Sequence, residues 1–203
     1  MSTNDSRTGS KIGLERPDRR ERDVTVVRTY LGMREPSALR RSRAPRTNAE
    51  LLRLHPCTTG QWRALYASVG SAWQWHERDG WPDAQLAARL ASASVHVFAV
   101  RLIDDGIGPP AAAADSELVG MLELEQGEGG DVEIVYLGLD RRLMGQGLGA
   151  WLVAEAVDRA FALEATRVWL HTCTLDSASA LPNYLARGFI AERTETYTAR
   201  LSE

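Results

Sequence analysis

With 203 residues, 44% of them hydrophobic and 25% charged, the chain is long enough to bury one sizeable core and short for two. A formal net charge of -3 supplies no broad basic field, so nucleic acid is not an expected partner. The two cysteines, Cys57 and Cys173, lie far apart, no apolar signal segment precedes them and no apolar run nears the length of a membrane span; a reduced cytoplasmic setting without disulfides or membrane insertion is expected.

Residues 1–22 are polar and punctuated by Gly and Pro, the composition of an unanchored tail, and one domain is expected over 23–203. VTVVRTYLGM, residues 24–33, has the β-branched and aromatic content of a strand. The basic stretch SALRRSRAPRTN, residues 37–48, reads as a linker, either a solvated loop or an arm that contacts phosphate. Behind Thr58 as a cap, Trp62, Leu65, Tyr66 and Val69 recur at helical spacing, and a second helix over 82–90 puts Leu86, Ala87 and Leu90 on one face. The loop between them reads GSAWQWHERDGW. Water stabilises no exposed indole, so Trp73, Trp75 and Trp81 either cap the core or, with His76, line a substrate pocket.

Strand patterns follow at 95–103 and 117–125, on either side of an Ala/Gly/Pro loop, and the turn QGEGGD leads into DVEIVYLGL, residues 131–139. There Val132, Ile134 and Tyr136 alternate with Glu133, Val135 and Leu137, which predicts the first three on one face of an antiparallel meander. Residues 148–165 set Leu152, Val153, Ala156, Val157, Ala160 and Phe161 on one stripe and Glu155, Asp158, Arg159 and Glu164 on the other, an amphipathic helix. A strand over 167–174, a helix from about Ser177 to Arg187 and an extended FIAERTETYTAR close the pattern, with no internal repeat.

Strand, glycine loop, helix and strand make residues 131–174 a βαβ unit, and its loop, LMGQGLG, falls at the start of the helix. Unpaired amides and the helix dipole converge there. Gly145, Gly147 and Gly149 remove every second side chain, so the main chain can approach a phosphate or pyrophosphate. Gly145, Gly147 and Ala150 also satisfy G-x-G-x-x-A, but only about 30 residues follow the second strand and no Asp or Glu ends it to take a ribose hydroxyl, which disfavours a Rossmann fold. The Lys followed by Ser or Thr that a P-loop requires is missing.

These residues resemble the acyl-CoA-binding motif of the GNAT superfamily of acetyltransferases, Q/R-x-x-G-x-G/A behind an apolar strand end. In LGLDRRLMGQGLGAWLV the pattern, aligned on the following helix, falls on Met144, Gly147 and Gly149, with methionine in place of the customary Gln or Arg; a looser register runs from Arg142 to Gly147. A second block, ALPNYLARGF at 180–189, resembles the family's late motif A-x-x-x-Y-x-x-x-G-F: Ala180, Tyr184, Gly188 and Phe189 match, and Ser177 stands where Asn is frequent.

The resemblance implies an α/β fold, a mixed and mostly antiparallel central sheet with a splayed βαβ cofactor site and flanking helices. It implies acetyl-CoA as acyl donor, with its pyrophosphate held by the main chain of Met144, Gly145, Gln146, Gly147, Leu148, Gly149 and Ala150, Arg141 or Arg142 contributing from the side, and Ser177 nearby. Main-chain groups from Leu137 to Leu139 would hold pantetheine, and the amide of Leu139 or a neighbour would face the thioester oxygen. Glu133 matches the general-base glutamate of histone-acetylating members; a solvent-facing edge residue is the plain alternative, and Glu123 or Glu125 could serve instead. Tyr184 matches the family's general acid beside the sulfur, the alternative being a core tyrosine behind the glycine loop.

His171 and Cys173 share one strand face at i and i+2. A Cys–His nucleophile, or a metal site with His55 and Cys57, lacks the spacing and the third orienting group it needs, so pocket or core lining is expected, with His171 placed to orient substrate and no metal. The expected activity is acetyl transfer from acetyl-CoA to a primary amine, by preference that of a small molecule, by direct attack in a ternary complex. A protein-directed or aminoacyl-directed transferase and an acyl-CoA sensor without turnover are the alternatives, and a homodimer stays open.

Overall fold

A computed structural model describes residues 21–103 and 118–202 of the chain. The tail expected over 1–22 lies outside the described residues apart from its last two, and so does the Ala/Gly/Pro loop. The strands are β1 (Glu21–Met33), β2 (Ala49–Leu54), β3 (Val95–Leu102), β4 (Leu118–Gln126), β5 (Asp131–Leu139), β6 (Arg167–Cys173) and β7 (Ile190–Ser202). The helices are α1 (Thr59–Gly70), α2 (Asp83–Leu90), α3 (Leu148–Ala162) and α4 (Ala180–Ala186). No helix among the described residues is long and apolar enough to cross a membrane.

Local chemistry accounts for the element starts. Thr58 and Gln61 close a capping box around the first turn of α1, which satisfies two otherwise unpaired amides. The apolar stripe of α3 buries Leu152, Val153, Ala156, Val157 and Ala160. That helix ends at Ala162, three residues before the expected 165, and α4 begins at Ala180 rather than near Ser177.

The seven strands form one sheet in the order β2-β3-β4-β5-β6-β1-β7, and every neighbouring pair is antiparallel except β5–β6. Two cores lie on its two faces. Residues of α3 and α4 pack with Leu122, Leu124, Val132, Ile134, Val168 and Leu170, while Trp62, Leu65, Tyr66 and Val69 of α1 and Leu86 of α2 pack with Val97, Ala99, Met121 and Tyr136. The sheet is therefore sandwiched between helices, as a mixed α/β fold requires.

Three features were not in the sequence reading. Residues 49–54 form an edge strand against β3, where no element was expected. The N-terminal strand, whose place in the sheet the sequence left open, sits between β6 and β7. Finally, Tyr136 does not share a face with Val132 and Ile134. Glu123 opposes Tyr136 and Leu124 opposes Ile134, so Val135 is an extra residue in β5, a β-bulge that turns both Val135 and Tyr136 toward the α1 core.

Candidate active site

The parallel pair β5–β6 is joined only through Asp131–Arg167, Val132–Val168 and Glu133–Trp169. Beyond Glu133 the strands part, immediately before the bulge that bends β5. The edge of β5 from Ile134 to Leu139 is thereby left without a strand partner on that side. The Asp140 amide donates to Val119 O of β4 at 2.7 Å. Successive amides of a strand point to alternate sides, so those of Leu139 and Leu137 point into the gap. The gap widens into a cavity of about 260 Å³, lined by Ile134 to Leu139, by Leu143, Met144, Gly145 and Gly149, and by Ser177 and Tyr184, with Trp73, Trp75 and His171 also on its wall.

The glycine loop is built on two left-handed turns. Gly145 and Gly147 have φ of 79° and 85°, which no β-carbon tolerates without strain, and Gly147 caps α3 with no side chain over the first amides. A β-carbon on Gly145 would meet nothing within 4 Å, so its absence leaves open space beside the helix start. Gly149 lies within the helix, and its carbonyl accepts from Asn183 Nδ2 at 3.1 Å. Leu148 is wholly buried and offers only its main chain; Ala150 is half-buried in the first turn.

Neighbouring polar groups brace this loop. Asp140 accepts from the Arg142 amide at 2.9 Å and from its Nη2 at 2.6 Å, and these bonds hold the Asp140 carboxyl below its usual range. The Arg142 guanidinium is thus turned to Asp140. Gln146 is engaged as well: its carbonyl accepts from the Arg46 amide at 3.1 Å and its side chain from Thr47 Oγ1 at 2.8 Å. The basic stretch 37–48 accordingly lies along the glycine loop, with Arg41 bonded to Asp158 of α3 at 2.8 Å.

Three carboxylates stand on the α1 face of β4 and β5, and they differ in their partners. Glu123 is fully buried and accepts from Trp62 Nε1 at 2.7 Å, Arg78 Nη1 at 2.9 Å and Arg89 Nη2 at 2.9 Å. Arg89 also holds Glu125, at 2.6 Å. Glu133, half-buried, has no hydrogen-bond or ion-pair partner among the described residues. Burial, reinforced by the charge of Glu125, pushes its carboxyl up to about 7. Two of the three carboxylates are therefore occupied by arginines, and the third is left uncommitted with a pKa near neutrality.

Tyr184 is buried against Phe189, and desolvation, with a smaller contribution from Asp176, pushes its phenol well above the usual value. The His171 imidazole, exposed at its rim, is held below its ordinary value by desolvation from the surrounding cavity wall and by the Arg28 cation, which favours the neutral ring. Trp75 fits a slot that Gly70 and Gly138 leave open, since a β-carbon on either would stand 2.7 or 3.2 Å from its ring, and it packs on Tyr136 with centroids 4.9 Å apart. It is both core and cavity wall.

Not every predicted residue gathers here. His76 is exposed and pairs with Asp79, Trp81 lies over the Arg78 guanidinium, and neither lines the cavity; Glu133, Arg142, Gln146, Gly147, Leu148 and Ala150 also lie outside its lining. Conversely, Arg28 and Tyr197 line it unforeseen, because they come from β1 and β7, whose adjacency to β6 is a matter of topology. For Arg28 the local signal was a charge within the strand pattern VTVVRTYLGM. Asp176 and Asn183 were also missed; Asp176 binds Thr172 Oγ1 and the Cys173 amide at 2.7 and 2.8 Å and shapes the turn after β6. No cluster of three or more His, Cys, Asp or Glu side chains among the described residues is placed to hold a metal ion.

Comparison with known proteins agrees with this architecture. A GCN5-related N-acetyltransferase from Kribbella flavida superimposes with a TM-score of 0.56 at 20% identity, over 90% of this chain and 60% of that one. A GCN5-related N-acetyltransferase from Sphaerobacter thermophilus gives 0.56 at 13% identity, over 90% and 53%. An aminoglycoside acetyltransferase from an uncultured soil metagenomic sample, in complex with trehalose, gives 0.55 at 16%, over 71% and 90%. The chain thus spans three-fifths or less of the two GCN5-related structures, and at these identities the likeness is one of fold. Comparison with curated proteins gives no match. Residues 62–189, which include the glycine loop and the late motif, match the Acetyltransferase (GNAT) family, and the chain belongs to that family.

Proposed function

We propose that the chain is an N-acetyltransferase that moves acetyl from acetyl-CoA to the primary amine of a small molecule, by direct attack within a ternary complex. The observation that carries this reading is the gap in the sheet, an unpaired edge of β5 with inward amides that ends on a glycine loop and an uncapped helix start. Those features fit acetyl-CoA: Leu137 and Leu139 can bond the pantetheine arm as a strand would, and the main chain from Met144 to Ala150, opened by the missing side chains, suits a pyrophosphate. Acetyl-CoA supplies an acetyl group activated as a thioester. A cavity of about 260 Å³ supports a small acceptor. The name of the aminoglycoside acetyltransferase points the same way. The unit concerned is the single domain over 23–203, and two free cysteines fit a reduced, cytoplasmic setting.

The chain's own groups then have distinct tasks. Glu133 takes a proton from the acceptor ammonium and frees the nitrogen lone pair. The Leu139 amide donates to the acyl oxygen as negative charge grows there, while the carbon–nitrogen bond forms and the carbon–sulfur bond breaks. Tyr184, kept protonated by its burial, gives its proton to the leaving sulfur and regains one from the nitrogen. His171, neutral, orients the acceptor from the opposite wall.

Calorimetric titration with acetyl-CoA, beside NADH as control, tests the donor: acetyl-CoA alone should bind, and binding of NADH alone would reinstate a dinucleotide site. Thiol release with a panel of amines separates an enzyme from a sensor, which would bind and release nothing. With an acceptor whose amine titrates well above neutrality, kcat/KM should rise with pH as Glu133 loses its proton and level off above about 7. Glu133→Gln should remove that inflection and lower the rate about 100-fold. An inflection that survives in the variant would transfer the role to another group. Tyr184→Phe should spare acetyl-CoA affinity while kcat falls about 100-fold; an unchanged kcat would end its role as acid.

A further inference from the structure

The cavity wall that β6, β1 and β7 provide carries a cation without a counter-charge. Arg28 lies opposite Cys173 in the β1–β6 register and lines the cavity. Its Nη2 donates to Tyr197 Oη at 3.2 Å, its guanidinium covers the Tyr197 ring at 5.0 Å, and its Nε is buried with no acceptor. The Tyr30 hydroxyl is beside it too. All of these partners are neutral. The carboxylates around it are committed elsewhere: Glu195, its opposite in β7, accepts from Tyr30 Oη at 2.9 Å and pairs with Arg193; Asp176 binds Thr172 and the Cys173 amide; Glu77 accepts from Tyr66 Oη at 3.2 Å. Among the described residues, no carboxylate forms an ion pair with Arg28.

The half-buried Arg28 guanidinium, whose phenol neighbours hold it as a cation and whose Nε lacks an acceptor, retains donors that an anionic ligand would engage. The planar fork of arginine matches a carboxylate through two parallel hydrogen bonds. Arg28 shares its sheet face with His171 and with Trp169, the residue that opposes Glu133, so cation, imidazole and candidate base lie along one surface from β1 to β5. We propose that Arg28 holds the carboxylate of the acceptor, and that the acceptor is an α-amino acid, an amine that carries its own negative charge. This rests on the transferase reading above and narrows it. A polycationic acceptor would set like charge against Arg28 and is disfavoured.

Matched pairs of acceptors test the assignment: phenylalanine against phenethylamine and lysine against cadaverine, each followed by thiol release with acetyl-CoA. The wild-type protein should favour the carboxylate-bearing member of a pair by about 10- to 100-fold in kcat/KM, because a site built around a hydrogen-bonded group rejects the analogue that lacks it. Arg28→Met should raise KM for the amino acid and shrink that preference toward parity, and Arg28→Lys, which keeps charge without the fork, should restore part of it. Equal rates within the pairs for the wild-type protein, or transfer to neither member by protein that binds acetyl-CoA, overturns the amino-acid assignment alone. Failure to bind acetyl-CoA overturns the transferase reading as well. The comparison on the wild-type protein stands whether or not a variant folds.

Discussion

Gly147→Glu is expected to cut affinity for acetyl-CoA by at least about 1,000-fold, to the point where calorimetric titration registers no binding. Two effects combine at this residue. Its φ of 85° belongs to the left-handed region, so any side chain there is strained, although a β-carbon would make only ordinary contact, at 3.4 Å, with Pro45 Cα. The new carboxylate would then lie at the start of α3, where the unpaired amides are proposed to receive a phosphate, and would both fill and neutralise that site. Gly147→Ala separates the effects, since it imposes the backbone strain, of roughly 1–2 kcal/mol, without the charge. It should weaken binding far less than glutamate does. Because a negative charge at a helix N-terminus is itself favourable, the glutamate variant should remain folded by circular dichroism, and undiminished acetyl-CoA affinity in it would sink the phosphate role of the loop.

Glu123→Ala should be the most destabilising of the simple substitutions at the site, by about 3–5 kcal/mol in denaturant unfolding. The carboxylate is fully buried, and its removal would leave the Arg78 guanidinium, itself 6% exposed, and that of Arg89 facing a void, with Trp62 Nε1 unsatisfied. Glu123→Gln keeps the shape but loses the charge and points an N–H group at one of the cations, so it should recover only part of the loss. A loss under about 1 kcal/mol for the alanine variant would mean that water or a rearranged Glu125 replaces the missing group, and that the network contributes little to the fold. The pairing also explains why Glu123 is a poor candidate base: it accepts from four nitrogens, Trp62 Nε1, Arg78 Nη1, Arg89 Nε and Arg89 Nη2, which leaves a carboxylate no lone pair to spare for a substrate.

The parts of this fold that were legible in the sequence are those specified by near neighbours. The helical spacing of Trp62, Leu65, Tyr66 and Val69 behind a Thr cap, the stripe of α3, and three glycines ahead of a helix all express local geometry, and each appears where it was expected. What was hidden depends on register and on topology. The bulge at Val135 shifts the phase of β5 by one residue, so a period-2 reading carries Tyr136 to the wrong face, and nothing within DVEIVYLGL marks the extra residue. Likewise, the partners that distinguish Glu123 and Glu125 from Glu133 come from Arg78 and Arg89, more than thirty residues away in sequence. Arg28 and Tyr197 are 169 positions apart and meet only because β1 is threaded between β6 and β7.

That threading sets a schedule for the nascent chain. Strand β1 leaves the ribosome well ahead of its two neighbours, which begin at Arg167 and Ile190, more than 130 residues later. At the usual pace of translation Val26 and Leu31, both wholly buried in the finished protein, must wait on the order of ten seconds for their partners. Strands β2 to β5 are complete well before then and can zip as a meander on their own. The thirteen residues of β1 spend that interval with both edges open, an invitation to intermolecular pairing that makes this segment the natural client of a holding chaperone. Only when β7 docks on β1 does the wall opposite β5 become rigid, so the gap beside β5 takes shape after the meander has formed.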